Sequence, residues 1–191
     1  MIEVRIHGRG GQGNVVAAYL LAGAAFADGR FCQAFPAFGA ERRGAPVAAF
    51  VRIAGAPIRR RCAVREPALV VIQDATLLHT AGVLDGIRAG GGVLINGSAD
   101  TAELSQRLGC DVIAAPAGEI AQRHLGRPVP NTALLAMLLS LTGVVSVDGL
   151  DQAMVGRFSE TLLERNRAVV AEAANEVPAG LWREKIDASG A

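Results

Sequence analysis

Apolar and polar residues alternate at the start of the chain, with Val4 and Ile6 set between Glu3, Arg5 and His7, the period of a half-buried strand. The alternation breaks into four glycines within six residues, Gly8, Gly10, Gly11 and Gly13. An alanine- and leucine-rich run then predicts a helix over about residues 12–28. Further strands are predicted over residues 31–37, 47–53, 69–72, 93–95 and 111–114, with residues 54–57 as a tight hairpin turn. The runs at 69–72 and 93–95 are continuously apolar, which suits parallel strands buried on both faces. Helices are predicted over about 81–89, 101–108, 118–125, 130–141, 148–156 and 159–175, with Ser159 as an N-cap. The alternation of strands and helices gives an α/β, Rossmann-like single domain over residues 1–177. It has a mostly parallel sheet flanked by helices and a helical last third. Residues 178–191 are expected to be an irregular tail, with Leu181 and Trp182 as a small docking patch.

Strand, glycine turn, helix is the entry to a nucleotide-binding unit, and Gly8-x-Gly10-x-x-Gly13 has the dinucleotide spacing. Such a turn delivers free N–H groups and the positive end of a helix dipole to one point, where a phosphate or carboxylate can sit. Arg9 would add a cation there and Gln12 an amide. The alternative is that the glycines only let the first helix pack closely on the sheet. The acid that should end the second strand of a classical NAD site is missing. Asp28 lies at the helix end, and the strand at 31–37 contains Pro36 and no carboxylate.

Composition narrows the picture in three ways. The 191 residues make one domain with a substantial core, and 4% aromatics suit packing by Ala, Val, Leu and Ile. A net charge of +1 gives no overall attraction to nucleic acid or anionic membranes. Cys32, Cys62 and Cys110 are widely separated with no C-x-x-C, so neither a disulfide framework nor zinc or iron–sulfur ligation by this chain is expected. No leader pattern opens the chain, and the longest apolar run, 133–141, is too short to span a bilayer, so a cytoplasmic protein is expected.

Other candidate residues each carry two readings. Phe38 to Pro46 concentrates Glu41, Arg42 and Arg43 between two glycines, as a functional loop does. Asp74 follows a buried strand, where open α/β sheets bind ligands, but it also suits an N-cap of the turn at 75–79, the reading favoured here. Arg59-Arg60-Arg61 reads first as a solvated strand end and second as a partner or phosphate contact. His7, beside the glycine turn, reads first as a satisfied structural histidine. Glu172 and Glu176 with Arg165 and Arg167 form a charged outer helix face. No P-loop and no G-x-S-x-G occurs.

Two stretches together resemble a known family. Ile6-His-Gly-Arg-Gly-Gly-Gln-Gly13 and Gln33-Ala-Phe-Pro-Ala-Phe-Gly-Ala-Glu-Arg-Arg-Gly-Ala-Pro-Val47 are similar to the gamma subunit, or gamma domain, of the 2-oxoacid:ferredoxin oxidoreductases, such as pyruvate:ferredoxin oxidoreductase. Asp74 and Pro130-Asn-Thr-Ala-Leu-Leu135 also fit, and Ala40 departs from a proline common in relatives. The indolepyruvate oxidoreductase small subunit is the nearest alternative; a stand-alone NAD(P)-binding Rossmann protein is another. The resemblance implies thiamine-diphosphate-dependent oxidative decarboxylation of a 2-oxoacid. Electrons pass through iron–sulfur clusters to ferredoxin, and the acyl group passes to coenzyme A. Thiamine diphosphate, Mg2+ and [4Fe-4S] clusters belong, by that implication, to alpha, beta and delta-type partner subunits. This chain contributes no catalytic residue. It offers Gly8, Arg9, Gly10, Gly11, Gln12 and Gly13 as a coenzyme A or anion loop, and Phe38, Glu41, Arg42 and Arg43 as an interface; an internal tie for the arginines is the competing reading.

Overall fold

The computed structural model describes residues 1–37 and 45–187 and contains one six-stranded sheet. Its strands are β1 (Ile2–Arg9), β2 (Phe31–Ala37), β3 (Pro46–Ala54), β4 (Leu69–Ile72), β5 (Gly92–Asn96) and β6 (Asp111–Ala115), in the order β2-β3-β1-β4-β5-β6. From β1 onward the pairings are parallel: Val4 to His7 lie opposite Leu69 to Ile72, which in turn lie opposite Gly92 to Ile95. On the other side β3 runs antiparallel to β1, from Ile2↔Ile53 to Arg9↔Pro46, and β2 runs antiparallel to β3 at the sheet edge. Phe38, Glu41, Arg42 and Arg43 lie outside the described residues.

Strand alternation sorts side chains onto two faces. Val4, Ile6, Leu69, Val71 and Leu94 join the larger core under α1 (Asn14–Ala27), α3 (Ala117–Leu125), α4 (Asn131–Thr142), α5 (Val147–Met154) and α6 (Glu160–Ala173). Val70, Ile72, Val93 and Ile95 join a smaller core with Leu77 and, from α2 (Thr101–Leu108), Leu104. Helix α4 is apolar all round and, apart from Ser140, entirely buried, as such a helix must be. Among the described residues no helix is long and apolar enough to cross a membrane.

Three local expectations change. Residues 81–90 form turns rather than a helix. Gly86 takes φ 70°, and the carbonyls of Val83 and Asp85, which a helix would engage, instead accept from Arg5 Nη2 at 2.9 and 2.8 Å. The turn at 54–57 does not lead into a paired strand; the hairpin partner of β3 is β2, ahead of it in sequence. The segment after Pro178 folds onto the body and ends in α7 (Arg183–Asp187). Trp182 is buried against Gly92, its N–H donating to the Leu141 carbonyl at 2.8 Å, so only Leu181 of the expected patch is exposed. Ser159 stands at the N-cap of α6 without a side-chain bond. Of the expected charged face, Glu172 is bound to Arg123 and His124 and Arg167 to Asp151 and Glu164, while Arg165 and Glu176 form no ion pair among the described residues.

Candidate functional site

The carboxyl ends of β1, β4 and β5 bring together the Gly8–Gly13 turn, Gln73-Asp74 and Asn96, the place where open α/β sheets take ligands. Gly13 has φ 79°, the left-handed region that glycine adopts without strain. A Cβ there would also lie 2.6 Å from Asn131 Nδ2, so the glycine lets the starts of α1 and α4 touch. A Cβ on Gly8 would meet Asn14 Oδ1 at 2.2 Å. Asn14 is buried and donates from Nδ2 to the Val47 carbonyl at 2.9 Å, tying the start of α1 to β3.

The turn is braced from within. Arg9 N–H donates to Gln12 Oε1 at 2.7 Å, Gln12 N–H to the Arg9 carbonyl at 3.0 Å, and Gly10 N–H to the Ala45 carbonyl at 3.0 Å. Arg9 sits on the opposite face from Gly8, where Nε donates to Asp74 Oδ2 and Nη2 to Thr76 Oγ1, both at 2.7 Å. Asp74 also accepts from the Thr76 N–H, so the expected cap forms and the same carboxylate clamps the turn. Partial burial disfavours the Asp74 charge, but the Thr76 hydroxyl and amide and the Arg9 guanidinium outweigh it and hold the carboxyl below its ordinary range. The Arg9 charge is therefore engaged by a carboxylate, and the donors for an incoming anion come from backbone. No side chain caps α1 and no acid occupies its first turn, so its first amides keep no side-chain acceptor. Helix α4 also starts with no capping side chain at Pro130 and no acid in its first turn, although its Thr132 N–H donates to Asn131 Oδ1 at 2.8 Å. Two adjoining helix starts of one polarity favour negative charge.

Buried and half-buried amides surround these helix starts. Asn96 Oδ1 accepts from Gly118 N–H at 2.8 Å, and Asn96 Nδ2 donates to the Gln73 carbonyl at 3.1 Å. Gln73 is buried on the α1 and α4 face, and both of its amide atoms lack a hydrogen-bond partner, as does Asn14 Oδ1. Asn14, Gln73, Asn96 and Asn131 were not distinguishable as site residues from spacing, though a single amide following each apolar strand run was the available signal. On the opposite face His7 has its Nε2 buried without a partner, so it is not the satisfied histidine expected. Burial, reinforced by the Arg5 charge, lowers its pKa to about 4 and keeps it neutral. Asp28, the offset candidate for a ribose ligand, is instead the C-cap of α1, its carboxylate accepting from Ser146 N–H at 2.6 Å. The strand beside β1 on that side is the antiparallel β3, so the arrangement departs from the dinucleotide pattern where the ribose acid should stand. Among the described residues the site pairs no nucleophile with a base, and its helix starts are of the polarity that favours an anionic group.

Residues 3–176 match the family pyruvate ferredoxin/flavodoxin oxidoreductase. The chain is 46% identical over 177 residues to the pyruvate synthase subunit PorC of Methanocaldococcus jannaschii, covering 93% of this chain and 97% of that one. It is 44% identical over 179 residues to the pyruvate/ketoisovalerate oxidoreductases common subunit gamma of Thermococcus kodakarensis, covering 92% and 97%. Among solved structures, the pyruvate oxidoreductase subunit PORC of Thermotoga maritima superposes with a TM-score of 0.80 at 32% identity, covering 92% of this chain and 96% of that one.

Proposed function

The chain belongs to the pyruvate ferredoxin/flavodoxin oxidoreductase family, and on that premise we propose that it is the gamma-type subunit of a multi-chain 2-oxoacid oxidoreductase, not catalytic alone. The observation that carries this reading is coverage. The chain aligns with 97% of the length of a PorC subunit at 46% identity, which supports the gamma-type reading. Alpha, beta and delta-type companions supply thiamine diphosphate, Mg2+ and the [4Fe-4S] clusters, and ferredoxin or a related carrier accepts the electrons. The three scattered cysteines agree with that division, because cluster ligation needs closely spaced thiolates.

The residues of this chain have a binding role in the proposal. Coenzyme A, when bound, supplies the thiol that accepts the acyl group. The residues present fit one of its anionic groups: α1 starts without a capping side chain or acid, and Gly13, at φ 79°, brings the amide of Asn131 up beside that start. Backbone donors near Gly13 would hold that group, while Arg9, through Asp74, keeps the turn in place. Gly13→Ala strains the turn and pushes Asn131 away. In the assembled enzyme it should raise KM for coenzyme A on the order of tenfold, the worth of about one charge-assisted hydrogen bond, and leave KM for the oxoacid near its wild-type value. Steady-state kinetics with each substrate varied in turn measures both. An equal rise in the two constants would overturn the anion-site role.

A further inference from the structure

Arg59, Arg60 and Arg61 are exposed, and none has an ion-pair partner among the described residues. Other exposed arginines without an ion pair among the described residues, such as Arg107, Arg127 and Arg183, stand singly along the chain, whereas these three are consecutive. Between Pro57 and Glu66 the chain carries four arginines and one acid, Glu66. The segment bearing them is nonetheless held in place from below. Arg52, 1% exposed, donates from Nη1 to the Arg60 carbonyl at 3.4 Å and from Nη2 to the Cys62 carbonyl at 2.7 Å, and Gln33 Nε2 donates to the Ile58 carbonyl at 3.2 Å. Three adjacent guanidinium groups on an anchored backbone make a local positive field that favours an external anion.

The same place has room for an occupant. Arg61 borders a depression of ≈ 380 Å³ on edge strand β2, lined also by Gln33, Ala34 and Phe35. Phe35 packs on Phe50 with ring centroids 5.3 Å apart, which gives the depression an apolar floor. Gln33 Oε1 is buried and accepts no hydrogen bond. An occupant must therefore bring carboxylates or other anions for the arginines and an apolar contact for Phe35. A nucleic-acid backbone or a phosphatidylserine surface offers the first and lacks a matching basic field here, since the net charge of the chain is +1. An extended acidic stretch of polypeptide offers both: carboxylates that pair bidentately with guanidinium, and apolar side chains between them.

We propose that Arg59, Arg60 and Arg61, with the Gln33–Phe35 depression on β2, dock an acidic extended segment of a companion subunit. The inference rests on the gamma-subunit reading and specifies the chemistry of one of its contacts. The test is assembly of the complex from co-expressed subunits, with wild type, Arg59→Glu/Arg60→Glu/Arg61→Glu and the all-lysine variant at the same positions. Assembly is scored by co-purification and by the dissociation constant as salt is raised. The glutamate variant should weaken association on the order of a hundredfold, as reversal of several desolvated charge pairs does. The lysine variant should fall between, keeping charge without the bidentate fork. Wild-type affinity should drop with salt, and an unchanged melting temperature of the isolated glutamate variant would show that folding is intact. If wild type assembles and the glutamate variant assembles equally tightly, this inference is overturned alone; if wild type does not assemble with such companions, the subunit reading itself falls. Preferential binding of a duplex DNA oligonucleotide through the same arginines would also overturn it.

Discussion

Arg52→Met should lower the unfolding free energy by about 3–5 kcal/mol, the cost of leaving one member of a buried ion pair uncompensated. Arg52 Nε donates to Glu3 Oε1 at 2.7 Å between neighbouring strands β3 and β1, with side chains only 1% and 4% exposed. With Arg52 gone, Glu3 keeps only Arg88, at 3.4 Å and one-third exposed, while the carbonyls of Arg60 and Cys62 lose their donor. The double variant Arg52→Met/Glu3→Leu should recover most of the loss, because a well-packed apolar pair no longer strands a charge. Urea unfolding of the three proteins checks this, and a double variant no better than Arg52→Met would show that the loop carbonyls, not Glu3, carry the penalty. The pair also explains how a sheet edge made of antiparallel strands is fastened to the parallel half.

Acid should destabilise the fold well above the usual carboxylate range. His7 has a folded pKa of about 4 against an ordinary 6.5, set first by burial and then by Arg5. The native state thus binds fewer protons than the unfolded chain between those values. Its contribution is complete above pH 6.5, declines as pH falls and is lost below about 4, a total of about 3 kcal/mol. Asp74, also depressed, adds a loss of the same sign at lower pH, below its ordinary 3.8. His7→Gln should flatten the stability curve between pH 6.5 and 4 while leaving the lower limb in place. Chemical denaturation at a series of pH values reads this directly, and parallel curves for the two proteins would contradict it.

Much of this architecture is legible before the structure because it is local. The glycine turn, the apolar runs of β4 and β5, the helix over Thr101–Leu108 and the apolar α4 follow from period and punctuation within a dozen residues. What is lost depends on contacts far apart in sequence. The attachment of β2 and β3 to β1 is a pairing choice that strand propensity does not encode. Residues 81–89 carry a helix-like composition, yet Arg5, some eighty positions earlier, takes the carbonyls that helix would need. The tail folds because Gly92 leaves room for the Trp182 ring. At the site the glycines announce themselves by spacing. The amides of Asn14, Gln73, Asn96 and Asn131 do not, since a single Asn or Gln at a strand or helix end has no period to betray it. Arg9 was readable as a cation near the turn, but its pairing with Asp74 depends on two strands meeting in parallel.

Reconstitution of the enzyme with and without this chain tests the central claim most directly. Companion subunits and the 191-residue protein are purified separately and mixed, and coenzyme A-dependent reduction of ferredoxin by a 2-oxoacid is followed. The account predicts turnover by the complete mixture, none by this chain alone, and a loss of coenzyme A-dependent turnover when it is left out. Oxidation of a 2-oxoacid by the isolated chain, or full activity of its companions without it, would contradict the account.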